Sequence, residues 1–389
     1  MKRFRHSLLL FILAWSGCSI APPAQKPAGD RSAPVGEVVT TAFGPDGRLW
    51  RLTPTAEYVY VDFSNDRGAT FSDPVAVNST PQRIKAQPED RPALAIDPTG
   101  RVFVIYFADG PQPWTTYFTV SSDGGKQFSP PAPVSDHADT AKHYQDLLAV
   151  GPRGQIYIFW HDERDKAATG EVSLFYTLSN EPISGQIPNH KAVDSVCDCC
   201  RTALDFDASG APVLFKRMVY PGSVRDHGLL TLTEGGTWTS RRVTDDDWQI
   251  DACPEHGPAL SIADDGRYHI AWFTQGRRRK GLFYAYSDDR GQNFSQPMPF
   301  GEMNALAGHP DLLSFDEQVL LVWKEFDGKK TRIRMLQSPD RGNSWVPPRT
   351  LAESASASGH PFLLDDGETV FLSWNSKDHG YQLLPIPHQ

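Results

Sequence analysis

Short apolar stretches alternate with turn residues along this chain, and the alternation has a long period. A unit of the form Pro-x-Leu-x-Φ-x-x-x-Gly-x-Φ-x-Φ-x-aromatic recurs, where Φ is apolar. Its glycines are Gly47, Gly100, Gly154, Gly210, Gly266 and, in a shortened copy, Gly367; the copy that starts at Pro310 lacks the glycine. The closing aromatics are Trp50, Tyr106, Trp160, Phe215, Trp272, Trp323 and Trp374, at intervals of 51 to 57 residues. Alternating apolar residues around them, as in Val102–Tyr106 and Gln155–Trp160, read as strands. No long segment of helical period follows the first eighteen residues. Seven units of about four short strands each predict an all-β fold, a β-propeller. The last unit predicts three strands, with an N-terminal segment expected to complete it.

A second repeat punctuates the first. The phrase Ser-x-Asp-x-Gly-x-x-(Phe/Trp) occurs as Ser64–Phe71, Ser121–Phe128, Ser287–Phe294 and Ser338–Trp345. Its chemistry is that of a tight hairpin turn: glycine supplies positive φ, the carboxylate accepts turn N–H groups, and the aromatic closes the turn onto apolar surface. This phrase is the Asp-box, and the chain resembles the sialidase superfamily of Asp-box (BNR-repeat) β-propellers. The gap from Asp123 to Asp289 spans about three repeats, so two worn copies are expected inside it. One reads Thr231–Trp238, with Thr233 in place of Asp; the other falls near Thr177–Asn180. The resemblance implies six blades. The seven countable anchors favour seven.

The ends change the picture of where the protein works. Lys2, Arg3 and Arg5 precede a short apolar run, Leu8–Trp15, in the manner of an export signal. Ser16-Gly17-Cys18 resembles a bacterial lipoprotein cleavage site, with Trp15 where that pattern prefers Leu. Residues 1–18 are thus expected to be a lipoprotein signal ending at a lipidated Cys18. Residues 19–34, rich in Pro and Ala, are expected to be a tether, and 35–389 a single propeller domain. Ser19 after the cysteine favours, by resemblance, the outer membrane; without lipidation the protein would be periplasmic or secreted. The formal net charge of −9 argues against nucleic acid or an anionic membrane surface as partner. Any membrane association is expected through the lipid anchor alone.

Candidate chemistry collects at the entries to the inner strands, the blade ends opposite the Ser-x-Asp turns. Counting back from the repeat glycines places Arg91, Arg201, His309 and His360 at such entries, with His143, Cys197, Cys199, Cys200, Cys253 and His256 close by. The loops leaving the second strands add Asp162, Glu163, Arg164, Arg217 and Tyr220. All are expected to face one axial funnel. Lipidation of Cys18 leaves four cysteines in an oxidising compartment, and one reading pairs Cys253 with a member of the Cys197–Cys200 cluster in a disulfide. The other makes these cysteines, with His143, His256, His309 and His360, ligands of zinc or copper. The resemblance implies a third reading: Arg91, Arg201 and Arg164 or Arg217 hold a substrate carboxylate, Asp162 acts as acid/base, and Tyr220 with Glu163 supplies the nucleophile. This sequence departs from the sialidase pattern, since Asp90-Arg91-Pro92 lacks the family's Ile and no motif places a Tyr. The expectation is therefore an exported propeller that binds an anionic glycan or a metal ion in its funnel, with an exo-glycosidase of sialidase type as the alternative.

Overall fold

The computed structural model describes residues 37–110, 112, 114–179, 188–233 and 235–387. The expected signal, the lipidation site Cys18 and the tether lie outside the described residues, as do part of the Thr177–Asn180 copy and one residue of the Thr231–Trp238 copy.

Seven antiparallel sheets follow one another along the chain, one per repeat unit. Their inner strands are Thr40–Phe43, Ala93–Ile96, His143–Val150, Ala203–Phe206, Ala259–Ile262, Gly308–Phe315 and Phe362–Asp365. Each pairs with the next strand in sequence, and in six sheets a third and a fourth follow. The protein is a seven-bladed β-propeller, and its described residues include one helix of four residues, Lys166–Thr169, and a short 3-10 turn.

The second strand of each blade explains the apolar period. Val102–Ala108 and Ile156–Asp162 are buried at every position, because a neighbouring blade covers each face. Such strands read as continuous apolar runs rather than as a strict alternation. The seven closing aromatics are all at most 2 % exposed, and six hydrophobic clusters each span two consecutive blades. Truncating one such indole typically costs about 3–5 kcal/mol. Three of the indole N–H groups find carboxylates: Trp160 donates to Asp162 (2.9 Å), Trp272 to Asp246 (2.8 Å) and Trp323 to Glu325 (2.7 Å).

The last sheet has three strands among the described residues. The ring closes there by side chains: Phe43 packs on Phe371, Phe71 on Tyr381, and Thr41 bonds Ser373 at 2.9 Å.

The four Ser-x-Asp turns share one hydrogen-bond plan. The serine Oγ donates to the aspartate at 2.7–2.9 Å and accepts from the glycine N–H at 2.7–2.9 Å. The aspartate also accepts the N–H two residues past the glycine, at 2.7–3.0 Å. At Gly342 φ is +84°, and a Cβ would stand 2.0 Å from the Tyr284 hydroxyl, so both conformation and space require glycine. Register fixes the side: Val102 pairs with both Ile96 and Ser121, while Ala108 pairs with Thr115 at the far end. The turns therefore lie at the ends of the blades opposite the inner-strand entries.

Candidate functional site

Inner-strand residues of all seven blades surround an axial cavity of about 270 Å³, among them Thr40, Leu94, Leu148, Leu204, Leu260, Asp311 and Phe362. Its polar end is organised by Glu89, which no repeat signals. Glu89 is buried and accepts from Arg201 Nη1 (3.0 Å), the Arg201 N–H (3.3 Å), the Gly257 N–H (3.0 Å) and His309 Nδ1 (3.0 Å); His360 Nε2 stands 3.5 Å away. One carboxylate thus joins the entries of blades two, four, five, six and seven. Burial works to raise its pKa, but Arg201 and His309 outweigh burial and hold it at about 2. Gly257 must be glycine for close approach, since a Cβ would stand 2.2 Å from Arg201 Cγ.

Three imidazoles line up beside this carboxylate. His309 stacks on His360 with centroids 3.6 Å apart and on His256 at 4.4 Å, and His256 stacks in turn on Phe273 at 4.0 Å. Burial is the leading cause that lowers the pKa of all three, so the stack is neutral near pH 7. His309 adopts φ +53°, a conformation uncommon outside glycine.

The four candidate arginines separate. Arg201 is committed to Glu89 and to the Pro310 carbonyl (2.6 Å). Arg91 lines the cavity, lies 3.2 Å over the Phe362 ring and donates to the Val39 carbonyl at 3.3 Å. Burial, then the Arg201 cation, press its guanidinium down to about 9. Arg217 is fully buried and spends its donors on the carbonyls of Arg225, His256 and Phe273. Arg164 bonds Asp162 and Asp136 and stacks on Phe175.

The expected hydrolytic set is not brought together. Asp162 is fully buried and bound by Trp160 Nε1, Ser135 Oγ, the Arg164 N–H and Arg164 Nη2. Burial works to raise its pKa, but these bonds outweigh it and the net shift is downward, the opposite of what a general acid requires. Glu163 bonds Tyr144 and Lys166. Tyr220 lies beneath Arg242, and burial raises its hydroxyl to about 12. None of the three lines the axial cavity.

The cysteines form a second centre at the entry to blade four. Cys197 Sγ is 3.5 Å from Cys200 Sγ and 3.8 Å from Cys199 Sγ. Cys197 and Cys200 are fully buried and Cys199 is 7 % exposed. All four cysteines are thiols, so the disulfide expected between Cys253 and this cluster is not made. The S–H groups of Cys199 and Cys200, and the cations of Lys216 and Arg217, hold the Cys197 thiol well below its ordinary pKa. Lys216 is fully buried and donates to the Cys200 carbonyl, and the Cys197 N–H donates to the Arg217 carbonyl at 3.0 Å.

His161 and His227 are also fully buried, with both ring nitrogens of each lacking a hydrogen-bond partner. The Asp198 backbone approaches His161 without a well-formed bond. Burial pushes both imidazoles well below their ordinary pKa, and the Cys197 charge acts on each in the opposite direction. Sequence reasoning passed over His227, Glu89 and Asp198. For Glu89 a signal existed: a carboxylate two residues before an entry arginine.

The single Cys/His constellation expected from the sequence resolves into parts. Among the described residues the compact groups of ligand atoms are Cys197–Cys199–Cys200, Asp198–Cys199–Cys253 and Glu89–His309–His360, and none mixes cysteine with histidine. His143 stands apart, its Nδ1 accepting from the Thr116 N–H at 2.8 Å.

No family model matches the chain, and no curated protein matches it. Solved structures do. An ulvan lyase of polysaccharide lyase family PL25, bound to -[GlcA(1-4)Rha3S]-, aligns with TM-score 0.55 at 12% identity over 91% of this chain and 94% of that one. An α-L-arabinanase of Penicillium chrysogenum, complexed with arabinobiose, gives 0.51 at 13% identity over 82% and 96%. A protein of unknown function from Dyadobacter fermentans gives 0.51 at 14% identity over 78% and 94%. At these identities the likeness is one of fold.

Proposed function

We propose that this propeller is an exported metal-binding protein, anchored through Cys18, that holds one copper(I) ion in the Cys197–Cys199–Cys200 cluster. The observation that carries the reading is the spacing of three buried sulfurs. A metal–sulfur bond of about 2.3 Å sets sulfurs about 3.8 Å apart in a tetrahedral shell and about 4.0 Å apart in a trigonal one, and Cys197 has its two sulfur neighbours at 3.5 and 3.8 Å. Thiolates select soft ions, copper(I) and zinc first. Charge decides between the two. Among the buried groups, three thiolates facing Lys216 and Arg217 leave one negative charge, which a monovalent ion neutralises and a divalent ion overshoots, and the half-buried Asp198 keeps its charge toward solvent; buried charge is costly unless balanced.

The test is reduced, anaerobic protein titrated with the tetrakis-acetonitrile salt of Cu(I) in competition with bicinchoninate. About one ion per chain is expected, lost in Cys197→Ser and Cys200→Ser. Less than about 0.1 ion per chain in the wild type, with all thiols titratable, overturns the reading. One zinc in place of copper keeps the cluster as a metal site and refutes the charge argument.

Arg91 favours a second ligand, an acidic sugar in the axial cavity. Its side chain is half-buried with one carbonyl partner, and a carboxylate or sulfate offers the bidentate partner it lacks. Of the fold neighbours, the ulvan lyase was solved with a sugar that bears both groups. Calorimetry with a glucuronate-containing disaccharide is expected to show binding that Arg91→Ala weakens at least about tenfold; equal affinity in the variant rejects the idea. The sialidase-type alternative lacks an assembled acid and nucleophile at this cavity.

A further inference from the structure

The buried cluster raises the question of how an ion reaches it, and a second constellation answers. Asp198, Cys199 and Cys253 bring one carboxylate oxygen and two sulfurs within 4.8 Å of one another. Cys253 is exposed, Asp198 is half-buried, and Cys199 is almost covered. Cys253 Sγ stands 3.9 Å from Asp198 Oδ1. Cys199 belongs to this outer group and to the inner one alike. Exposure thus falls in steps from Cys253 through Cys199 to Cys197 and Cys200. The outer group also bridges two blades, since Cys253 precedes blade five and the other two precede blade four.

We propose that Asp198, Cys199 and Cys253 form an entry site through which copper(I) is passed to the inner cluster by ligand exchange about Cys199. The inference rests on the metal-binding reading above. In the first step the Cys199 and Cys253 thiols each lose a proton to water as their sulfurs bond the ion, with Asp198 as a third, weaker ligand. In the second step the Cys199–ion bond persists. Bonds from Cys197 and Cys200 form while those to Cys253 and Asp198 break; the Cys197 and Cys200 thiols each lose a proton, one taken up by the departing Cys253 and the other by water. The ion stays monovalent and no electron moves. A hard carboxylate is a poor ligand for a soft ion, which makes the outer site easy to leave and suits transit rather than storage.

The experiment is stopped-flow uptake of Cu(I), supplied as its acetonitrile salt, by the wild type, Cys253→Ser and Asp198→Asn, with equilibrium stoichiometry measured in parallel. Both variants are expected to keep one ion per chain, with uptake slowed about tenfold or more in Cys253→Ser and less in Asp198→Asn. Extraction by bicinchoninate should slow by the same factor in each, because exit retraces entry. Unchanged rates at full stoichiometry overturn the entry site and leave the inner site standing. Loss of the ion from Cys253→Ser at equilibrium also overturns it, by making Cys253 a resident ligand. A wild type that binds no copper fails the underlying reading as well, and does so in the reference arm alone.

Discussion

The two ends of the blades solve opposite problems with the same scaffold. At one end the Ser-x-Asp turns repeat, and each closes locally: Ser338, Asp340, Gly342 and Ser344 bond one another within seven residues. At the other end the centre on the axis is made once. Glu89, Arg201, Gly257, His309 and His360 come from five blades and complete one another across the axis. Local closure makes a turn whose hydrogen bonds can be copied from blade to blade. Mutual completion makes a centre that exists once, and whose parts mean little singly. Chemistry is therefore expected at the end where sequence regularity fails.

The sharpest way to break this contrast is a pair of substitutions, one at each end. Glu89→Gln leaves the half-buried Arg201 beside a neutral amide and removes the buried carboxylate that five blades share, and is expected to cost about 3 kcal/mol in urea unfolding. Gly342→Ala forces a left-handed backbone and a clash with Tyr284, and is expected to cost about 2–3 kcal/mol. Additivity separates them further. Glu89→Gln with Arg201→Ala should be non-additive by more than about 1 kcal/mol, whereas Gly342→Ala with Gly125→Ala, on separate blades, should sum within about 0.5 kcal/mol. Additive behaviour at the axis would mean that the five blades meet there without depending on one another.

Much of the frame was legible in the sequence because it is repetitive. Seven aromatics at nearly equal intervals sufficed to count seven blades, and their burial follows from each lying between two blades. The site was legible only in part. Entry positions drew attention to Arg91, Arg201, His256, His309 and His360, which lie at or beside the axis. They could not separate those histidines from the cysteines, because Cys197 to Cys200 turn into the body of blade four against Lys216 and Arg217. Nor did the sequence betray that Asp162 is captured by the indole of Trp160 two residues earlier, a local bond that also recurs at Trp323 and Glu325. Glu89 escaped notice for the converse reason: its partners lie more than a hundred residues away.

The smaller effect, and the finer test of the comparison, is pH. The turn carboxylates Asp66 and Asp289 are held at about 2 by their hydrogen bonds from Ser64 and Thr70, and from Asn293 and Ser287. A folded pKa below the unfolded one gives stability that is complete above about pH 4 and is lost only as pH falls toward 2. At the axis, His256, His309 and His360 are lowered by burial, facing Glu89 on one side and the cations Arg201 and Lys324 on the other. Their contribution is complete above about pH 6.5 and drains away below it, since the unfolded chain takes up protons the folded one refuses. The axis should therefore weaken first on acidification, at about 1.4 kcal/mol per pH unit for each imidazole involved. His360→Gln is expected to flatten the slope of unfolding free energy between pH 6 and about 5 by roughly that amount. Asp289→Asn should leave this window untouched and alter stability only below about pH 4. Equal slopes in wild type and His360→Gln would show that the imidazole titrates alike in both states, and the two ends would then differ in topology without differing in electrostatics.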